Sequence, residues 1–170
     1  MPLPAAKAMQ HAPASAAPAA AAKHISTINR LTGLSTDYLN HFAEAIMVLE
    51  MGTMVPECLA DLRGWRPKTY REHFLSAHFR DRDAIIAAYD AADPAVRAAL
   101  DNTTATLNAV LVEARDTVLS RLGTPDAETL AQRAAAWTKP LIARAAGIIN
   151  GSSAAPREAT QATVDALFAR

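Results

Sequence analysis

Apolar residues that recur at three- and four-residue steps constrain the fold of this chain more than any other feature. The most regular run covers residues 107–122, and a second run covers residues 130–148. Such spacing lines one face of an α-helix, whereas a half-buried β-strand would show strict alternation, which no segment shows. The sequence therefore predicts an all-α protein, a compact helical bundle of about five to seven helices.

Helix-start and helix-end residues divide this bundle into its elements. Ser35 is the expected N-cap of an early helix and Gly52 the expected glycine after its last turn. Asp93, with a proline after it, is the expected start of a later helix. Residues 102–104 could break or bend that helix, and Pro140 predicts a kink in the last helix of the bundle. We predict helices over residues 36–51, 55–63, 70–77, 84–92 and 94–122, and one more that opens near Pro125 and ends near residue 149.

The composition changes at both ends of the chain. Residues 1–23 are rich in alanine and proline and contain almost nothing that could fill a core, so we predict a disordered tail there. Residues 24–149 are predicted to form the helical bundle domain. Residues 150–170 should form a loop followed by an amphipathic helix, which would need to dock on something to be stable.

Acidic and basic residues balance, at 17 of each, so the chain has no general attraction to nucleic acid or to an anionic membrane. The richness in alanine and the excess of arginine over lysine are typical of a GC-rich bacterial genome and do not indicate a function. The single cysteine, Cys58, excludes an internal disulfide and a multi-cysteine zinc site. Residues 2–22 lack the apolar core of a signal peptide, and no later run could span a bilayer. We therefore expect a cytoplasmic protein with neither nucleic acid nor membrane as its partner.

The helix predicted over residues 36–51 changes character along its length. One face begins with the polar residues Asp37, His41 and Glu44 and continues as Val48 and Met51. A helix that is polar on one side at its start and apolar all round at its end is usually covered there by neighbours or by a partner. We therefore expect an apolar cover over the second half of this helix.

Histidines and nearby carboxylates raise a metal-binding alternative. His41 and Glu44 are three residues apart, so a helix would point both the same way, and His73 and His78 follow later in the chain. The order His-x-x-Glu reverses the Glu-x-x-His pair of di-metal bundles, and no second matching pair is present. A metal- or small-ligand-binding bundle centred on these four residues is therefore the alternative function, and the leading function below requires no cofactor.

Cations between residues 63 and 82 offer a further alternative. Arginine side chains suit carboxylates and phosphates, and Arg66, Lys68 and Arg71 could form the anion pocket of an enzyme. Acidic residues are interleaved with them, so a solvated, salt-bridged face is the simpler interpretation. No serine elbow, phosphate loop or zinc-protease motif is present, and Cys58 lies on an apolar helix side as a small hydrophobic residue would. The sequence therefore does not predict an enzyme.

Apolar helix surface beyond what a small bundle must expose favours association as the leading function. Met47, Met51 and Met54 lie close together, and methionine suits adaptable partner grooves. We therefore predict a small regulator or adaptor that works through protein–protein contacts, with another protein or a second copy of itself as the partner. The predicted contact surface joins an apolar group to the cationic turn that follows it: Val48, Met51, Met54, Trp65, Arg66, Lys68 and Arg71.

Overall fold

The computed structural model describes residues 27–76 and 81–152, and this part of the chain is built from helices joined by turns, with one isolated β-bridge. The described helices pack into a bundle, which confirms the all-α prediction. The predicted tail of residues 1–23 and the predicted helix at the C-terminal end lie outside the described residues. The α-helices are α1 (Tyr38–Met51), α2 (Tyr70–Ser76), α3 (Arg82–Ala91), α4 (Pro94–Ser120) and α5 (Pro125–Ile149), and a 3₁₀ helix (Pro56–Gly64) lies between α1 and α2.

Helices α4 and α5 form a long antiparallel pair. A turn of residues 121–124 joins them, and a connection this short places consecutive helices side by side. Leu107, Leu111 and Val118 of α4 are buried, while the buried side of α5 is made mostly of alanines. Small side chains allow two helices to approach closely. The two regular apolar runs of the sequence therefore build a large part of the core.

Helix α1 runs along α5 in the opposite direction. Just before its start, the Thr32 hydroxyl donates to the Ile149 carbonyl oxygen over 2.5 Å. At its end, Lys139 Nζ lies 3.1 Å from Glu50 Oε1 in an ion pair. The 3₁₀ helix then packs on α1 and α4, and it brings the turn that follows it back to the first half of α1.

Gly52 follows the last turn of α1 as predicted, whereas Ser35 does not occupy the N-cap position. The helix begins at Tyr38 with Asp37 at the N-cap position, and the buried Ser35 lies two residues earlier, where its hydroxyl accepts from the Asp37 N–H over 3.3 Å. Gly52 has an ordinary helical φ of −59°, so a left-handed turn is not the reason for a glycine there. A Cβ at this position would collide with the buried Leu59 side chain. Glycine is therefore required for space.

Helix α4 is continuous, so the possible break at residues 102–104 does not occur. The hydroxyls of Thr103 and Thr104 donate to carbonyl oxygens one helical turn earlier, which satisfies these polar groups while both side chains are buried. The predicted cap at Asp93 is confirmed, since its carboxylate accepts from two backbone N–H groups of the first turn. Pro140 lies inside α5, which continues to its end at Ile149. Within residues 27–76 and 81–152, no helix combines the length and the apolar character that crossing a membrane requires.

Candidate functional site

Two histidines lie within a cluster of aromatic rings beneath the first half of α1. His41 is only 4% exposed and stacks on Trp65, with ring centroids 5.2 Å apart and an angle of 19° between the planes. The His73 ring of α2 lies 5.8 Å from the His41 ring. The Phe42 ring also contacts His41, and the rings of Tyr38 and Phe74 contact His73. His41, which belongs to a polar helix face in the sequence, is therefore buried by aromatic neighbours.

Both histidines resist protonation in this environment. Burial, followed by repulsion from His73 and from the Lys68 ammonium, lowers the pKa of His41 to about 4. A hydrogen bond with the backbone of Arg66 opposes this change in pKa, and His41 Nε2 has no hydrogen-bond partner within the described residues. Burial is also the main cause that lowers the pKa of His73, with Lys68 second. At neutral pH, therefore, both rings are uncharged and behave as part of the core.

The residues of the metal alternative are only partly brought together. His41 and His73 are neighbours, and Glu44 is near enough for its charge to oppose the lowering of the His73 pKa, but Glu44 itself is exposed. His78 falls within residues 77–80, which lie outside the described residues. Within the described part of the chain, no three histidine, cysteine, aspartate or glutamate side chains converge as metal ligands would. The arrangement seen is that of stacked, neutral core histidines.

The second half of α1 and the turn after it leave large apolar side chains in solvent. The exposed fractions are 55% for Met47, 46% for Met51, 85% for Met54 and 47% for Val55. We call these four residues the methionine surface. Val48 is half-buried and packs against the core. No other part of the described chain covers the methionine surface, so the predicted apolar cover is not supplied there.

The cationic turn of residues 65–71 does not extend the methionine surface. Trp65 is 7% exposed and its indole N–H donates to the His41 carbonyl oxygen over 2.9 Å, so its ring belongs to the core and is not a surface contact. His41 and Met51 are ten residues apart on α1, which places the turn about 15 Å along the helix from Met51. Arg66 donates to backbone carbonyls, and Lys68 donates to Ser76. The predicted surface therefore divides into two separate regions.

The third cation of that turn, Arg71, borders a cleft that sequence reasoning missed. The cleft has a volume of about 480 Å³ and lies among α2, α3 and α4, with one residue of α1 in its wall. We call it the tyrosine cleft, after the three tyrosines in its wall. The residues that define it are Tyr38, Tyr70, Arg71, Tyr89, Asp101 and Asn108.

Hydrogen bonds fix the walls of the tyrosine cleft. The Lys68 carbonyl oxygen accepts from the Tyr38 hydroxyl over 2.7 Å and from Asn108 Nδ2 over 3.2 Å. The Tyr89 hydroxyl donates to both Asp101 oxygens, at 2.7 and 2.8 Å. Burial raises the pKa of Tyr38 to about 12, and it also raises the pKa of Tyr89, so these hydroxyls stay protonated at neutral pH. The cleft therefore offers neutral hydroxyls beside one carboxylate.

A signal for the cleft was present in the sequence. The regular apolar pattern of α4 is interrupted by polar residues at 101–104, and the sequence predicts a possible break or bend at 102–104. In the structure, Asp101 and Thr104 instead face the cleft. The tyrosines that meet them come from three other helices, and a one-dimensional pattern does not reveal that meeting.

Comparison of the chain with protein-family models, with curated proteins and with solved structures finds no match.

Proposed function

We propose that the protein is a regulator or adaptor that binds another protein through the methionine surface. The partner we propose is an amphipathic helix whose apolar anchors are flanked by basic residues. The observation that carries this proposal is the exposure of Met47, Met51, Met54 and Val55, four large apolar residues within nine positions of the chain. Contiguous exposed apolar side chains on a small protein are typical of an interaction site.

The chemistry of these side chains supports a helical partner. Methionine is flexible and polarizable, and methionine-rich surfaces adapt to the apolar face of a bound helix. Met47 and Met51 are one turn apart on α1, while Met54 and Val55 extend the same patch into the following turn. This gives a row of contacts rather than a single apolar point.

Charges at the border of the methionine surface favour a basic partner. Glu44 lies on the same face of α1 as Met51, and both Glu44 and Glu57 are exposed. Glu50 is also exposed, but it forms an ion pair with Lys139. Two copies of this surface facing each other would bring these acidic side chains together, which disfavours a symmetric dimer.

Synthetic peptides test the proposal directly. A helical peptide with a leucine face and lysine flanks should bind the protein more tightly than the same peptide with glutamate flanks, measured by isothermal titration calorimetry. The double variant Met51→Ser, Met54→Ser should weaken binding of the lysine-flanked peptide by at least about tenfold, because it removes the apolar anchors. Leu31→Ser is the matched control, since Leu31 is a large apolar side chain that is 79% exposed elsewhere on the molecule.

Two results would overturn this proposal. One is equal affinity for lysine-flanked and glutamate-flanked peptides, which would remove the charge argument. The other is an equal effect of the methionine variant and of Leu31→Ser, which would indicate non-specific binding to exposed apolar residues. A doubling of the mass in analytical ultracentrifugation that the methionine variant abolishes would instead assign the surface to a second copy of the chain.

A further inference from the structure

The tyrosine cleft combines features that a small-molecule site requires. Its volume of about 480 Å³ lies in the range of ligand pockets, and tyrosine rings and Ala105 supply apolar wall between a few polar groups. Two of those polar groups carry opposite charges, the Asp101 carboxylate on α4 and the Arg71 guanidinium on α2. The cleft lies apart from the methionine surface, since the two share no residue.

Both charges are held in place by neighbouring residues of α3. The Tyr89 hydroxyl holds both oxygens of Asp101, and Asp90, the next residue, holds Arg71 with Nη1 and Nη2 at 3.1 and 3.0 Å from a single oxygen. The Arg97 guanidinium lies over the Tyr89 ring, 5.6 Å from the ring centroid, and adds a further contact to this wall. Side chains that are already oriented lose little entropy when a ligand binds.

These contacts leave hydrogen-bonding capacity unused. A carboxylate can accept about four hydrogen bonds and a guanidinium can donate five, so Asp101 and Arg71 each have capacity for a ligand. The Tyr70 hydroxyl accepts from the Ser35 N–H, and its own proton has no acceptor in the described part of the chain. Asn108 Oδ1 in the wall is buried and likewise has no hydrogen-bond partner among the described residues.

We propose that the tyrosine cleft binds a small zwitterion, a free amino acid or a similar molecule with one ammonium and one carboxylate group. Asp101 receives the ammonium group and Arg71 receives the carboxylate group. A simple anion would face the Asp101 carboxylate and a simple cation would face the Arg71 guanidinium, so either would meet one repulsive charge. A molecule that carries both charges satisfies both groups and leaves its carbon chain against the tyrosine rings.

A series of linear amino acids tests this proposal on the full-length protein. Glycine, β-alanine, γ-aminobutyrate and 6-aminohexanoate differ only in the separation of their two charges. Each is titrated against isotope-labelled protein, and binding is followed by the amide resonances of residues 69–71 and 101–108. One member should bind with a dissociation constant below about 1 mM, and butylamine and butyrate, which each lack one charge, should bind at least about tenfold more weakly.

Charge-removing variants with matched controls locate the binding. Asp101→Asn and Arg71→Gln should each weaken binding at least about tenfold, because each removes one charged contact. Asp116→Asn is the control on the same helix, since Asp116 also accepts a hydrogen bond, from Arg115. Arg82→Gln is the control for Arg71, because both side chains are 49% exposed and both form an ion pair with an aspartate. Because the Arg71 side chain is exposed, Arg71→Gln should fold normally even if Asp101→Asn does not.

Three results would overturn the assignment. The first is that no member of the series shifts the cleft resonances at concentrations up to about 20 mM, well above the expected dissociation constant. The second is equal binding of butylamine or butyrate, which would show that one charge suffices. The third is binding that survives both Asp101→Asn and Arg71→Gln. The Met51→Ser, Met54→Ser variant should bind the amino acid as the unchanged protein does, so failure here is distinct from failure of the proposed function.

Discussion

Each half of α1 contains a side chain whose burial is the reverse of what its polarity predicts. In the first half, the polar His41 is 4% exposed, under the rings of Trp65 and its neighbours. In the second half, the apolar Met47 and Met51 are 55% and 46% exposed. Both halves belong to one helix of fourteen residues, so helix propensity does not explain the contrast.

The contrast shows that burial on this helix depends on which elements pack over it. The turn after the 3₁₀ helix and α2 bring aromatic rings over the first half, whereas the described chain supplies nothing comparable over Met51. A neutral histidine that stacks on a ring can be buried at moderate cost, because its hydrogen bond to the backbone is retained. An exposed methionine costs little in a monomer, although it leaves apolar area available to a partner.

The largest expected effect is a difference in unfolding free energy between variants in the two halves of α1. Phe42→Ala, in the fully buried part of α1, should lower the free energy of unfolding by about 3–5 kcal/mol, because it removes a large side chain and leaves a cavity. Met51→Ala on the same helix should change it by no more than about 0.5 kcal/mol. Urea denaturation followed by circular dichroism measures both. Equal losses would show that the two ends of α1 are packed alike and would break the comparison.

The pH dependence of stability tests the buried histidines. The pKa of His41 is about 4 in the folded protein, against an ordinary value of 6.5. Between these two pH values the unfolded chain binds a proton at His41 and the folded protein does not. Stability is therefore complete above pH 6.5 and is lost as the pH falls toward 4. Between about pH 7.5 and pH 5 the loss due to His41 should be about 2 kcal/mol. The lowered pKa of His73 adds a loss of the same sign.

A variant that lacks the His41 imidazole provides the control for this measurement. His41→Phe keeps an aromatic ring against Trp65 and has no titrating group, so its stability should fall less steeply over the same pH interval. The lowered pKa of His73 contributes to the slope that remains. Glu72 and Asp116 have lowered pKa values, so their contributions are lost mainly below this interval. An unchanged slope in His41→Phe would show that His41 is not the group that titrates.

A smaller effect on stability is expected at Gly52, which lies between the end of α1 and the 3₁₀ helix. Gly52→Ala should lower the free energy of unfolding by about 1–3 kcal/mol, because the added methyl group meets the buried Leu59 side chain. Gly64→Ala is the matched control, since a Cβ at Gly64 would have no neighbouring atom within 4 Å. Thermal unfolding compares the two. A neutral Gly52→Ala would show that Leu59 moves freely and that the end of α1 is loosely packed.

Much of the fold followed from local sequence signals. The apolar steps of α4, its aspartate cap at Asp93 and the short turn before Pro125 predicted helices whose observed bounds lie within about two residues of those expected. These features depend on residues close together in the chain. The 3₁₀ form of the segment after α1 was not predicted, and neither was the steric role of Gly52, which depends on the packing of Leu59.

The candidate sites were harder to predict for the same physical reason. Trp65 looked like a surface contact, yet its partner His41 lies 24 residues earlier in the chain. The tyrosine cleft joins residues from four helices, and its contact between Tyr38 and Lys68 spans 30 residues. Only the exposed methionines were visible in sequence as a local group. Sites assembled from distant segments require the tertiary structure.

The smallest expected change in stability sharpens the comparison at the exposed end of α1. The double variant Met51→Ser, Met54→Ser should alter the free energy of unfolding by less than about 0.5 kcal/mol, because both side chains already contact water. Leu49→Ser on the same turn of α1 is the buried counterpart, at 1% exposed, and should cost several times more. Urea denaturation at low protein concentration measures the monomer. A loss above about 2 kcal/mol in the double variant would mean that another part of the chain covers these methionines, since side chains as exposed as Met51 and Met54 cannot contribute that much.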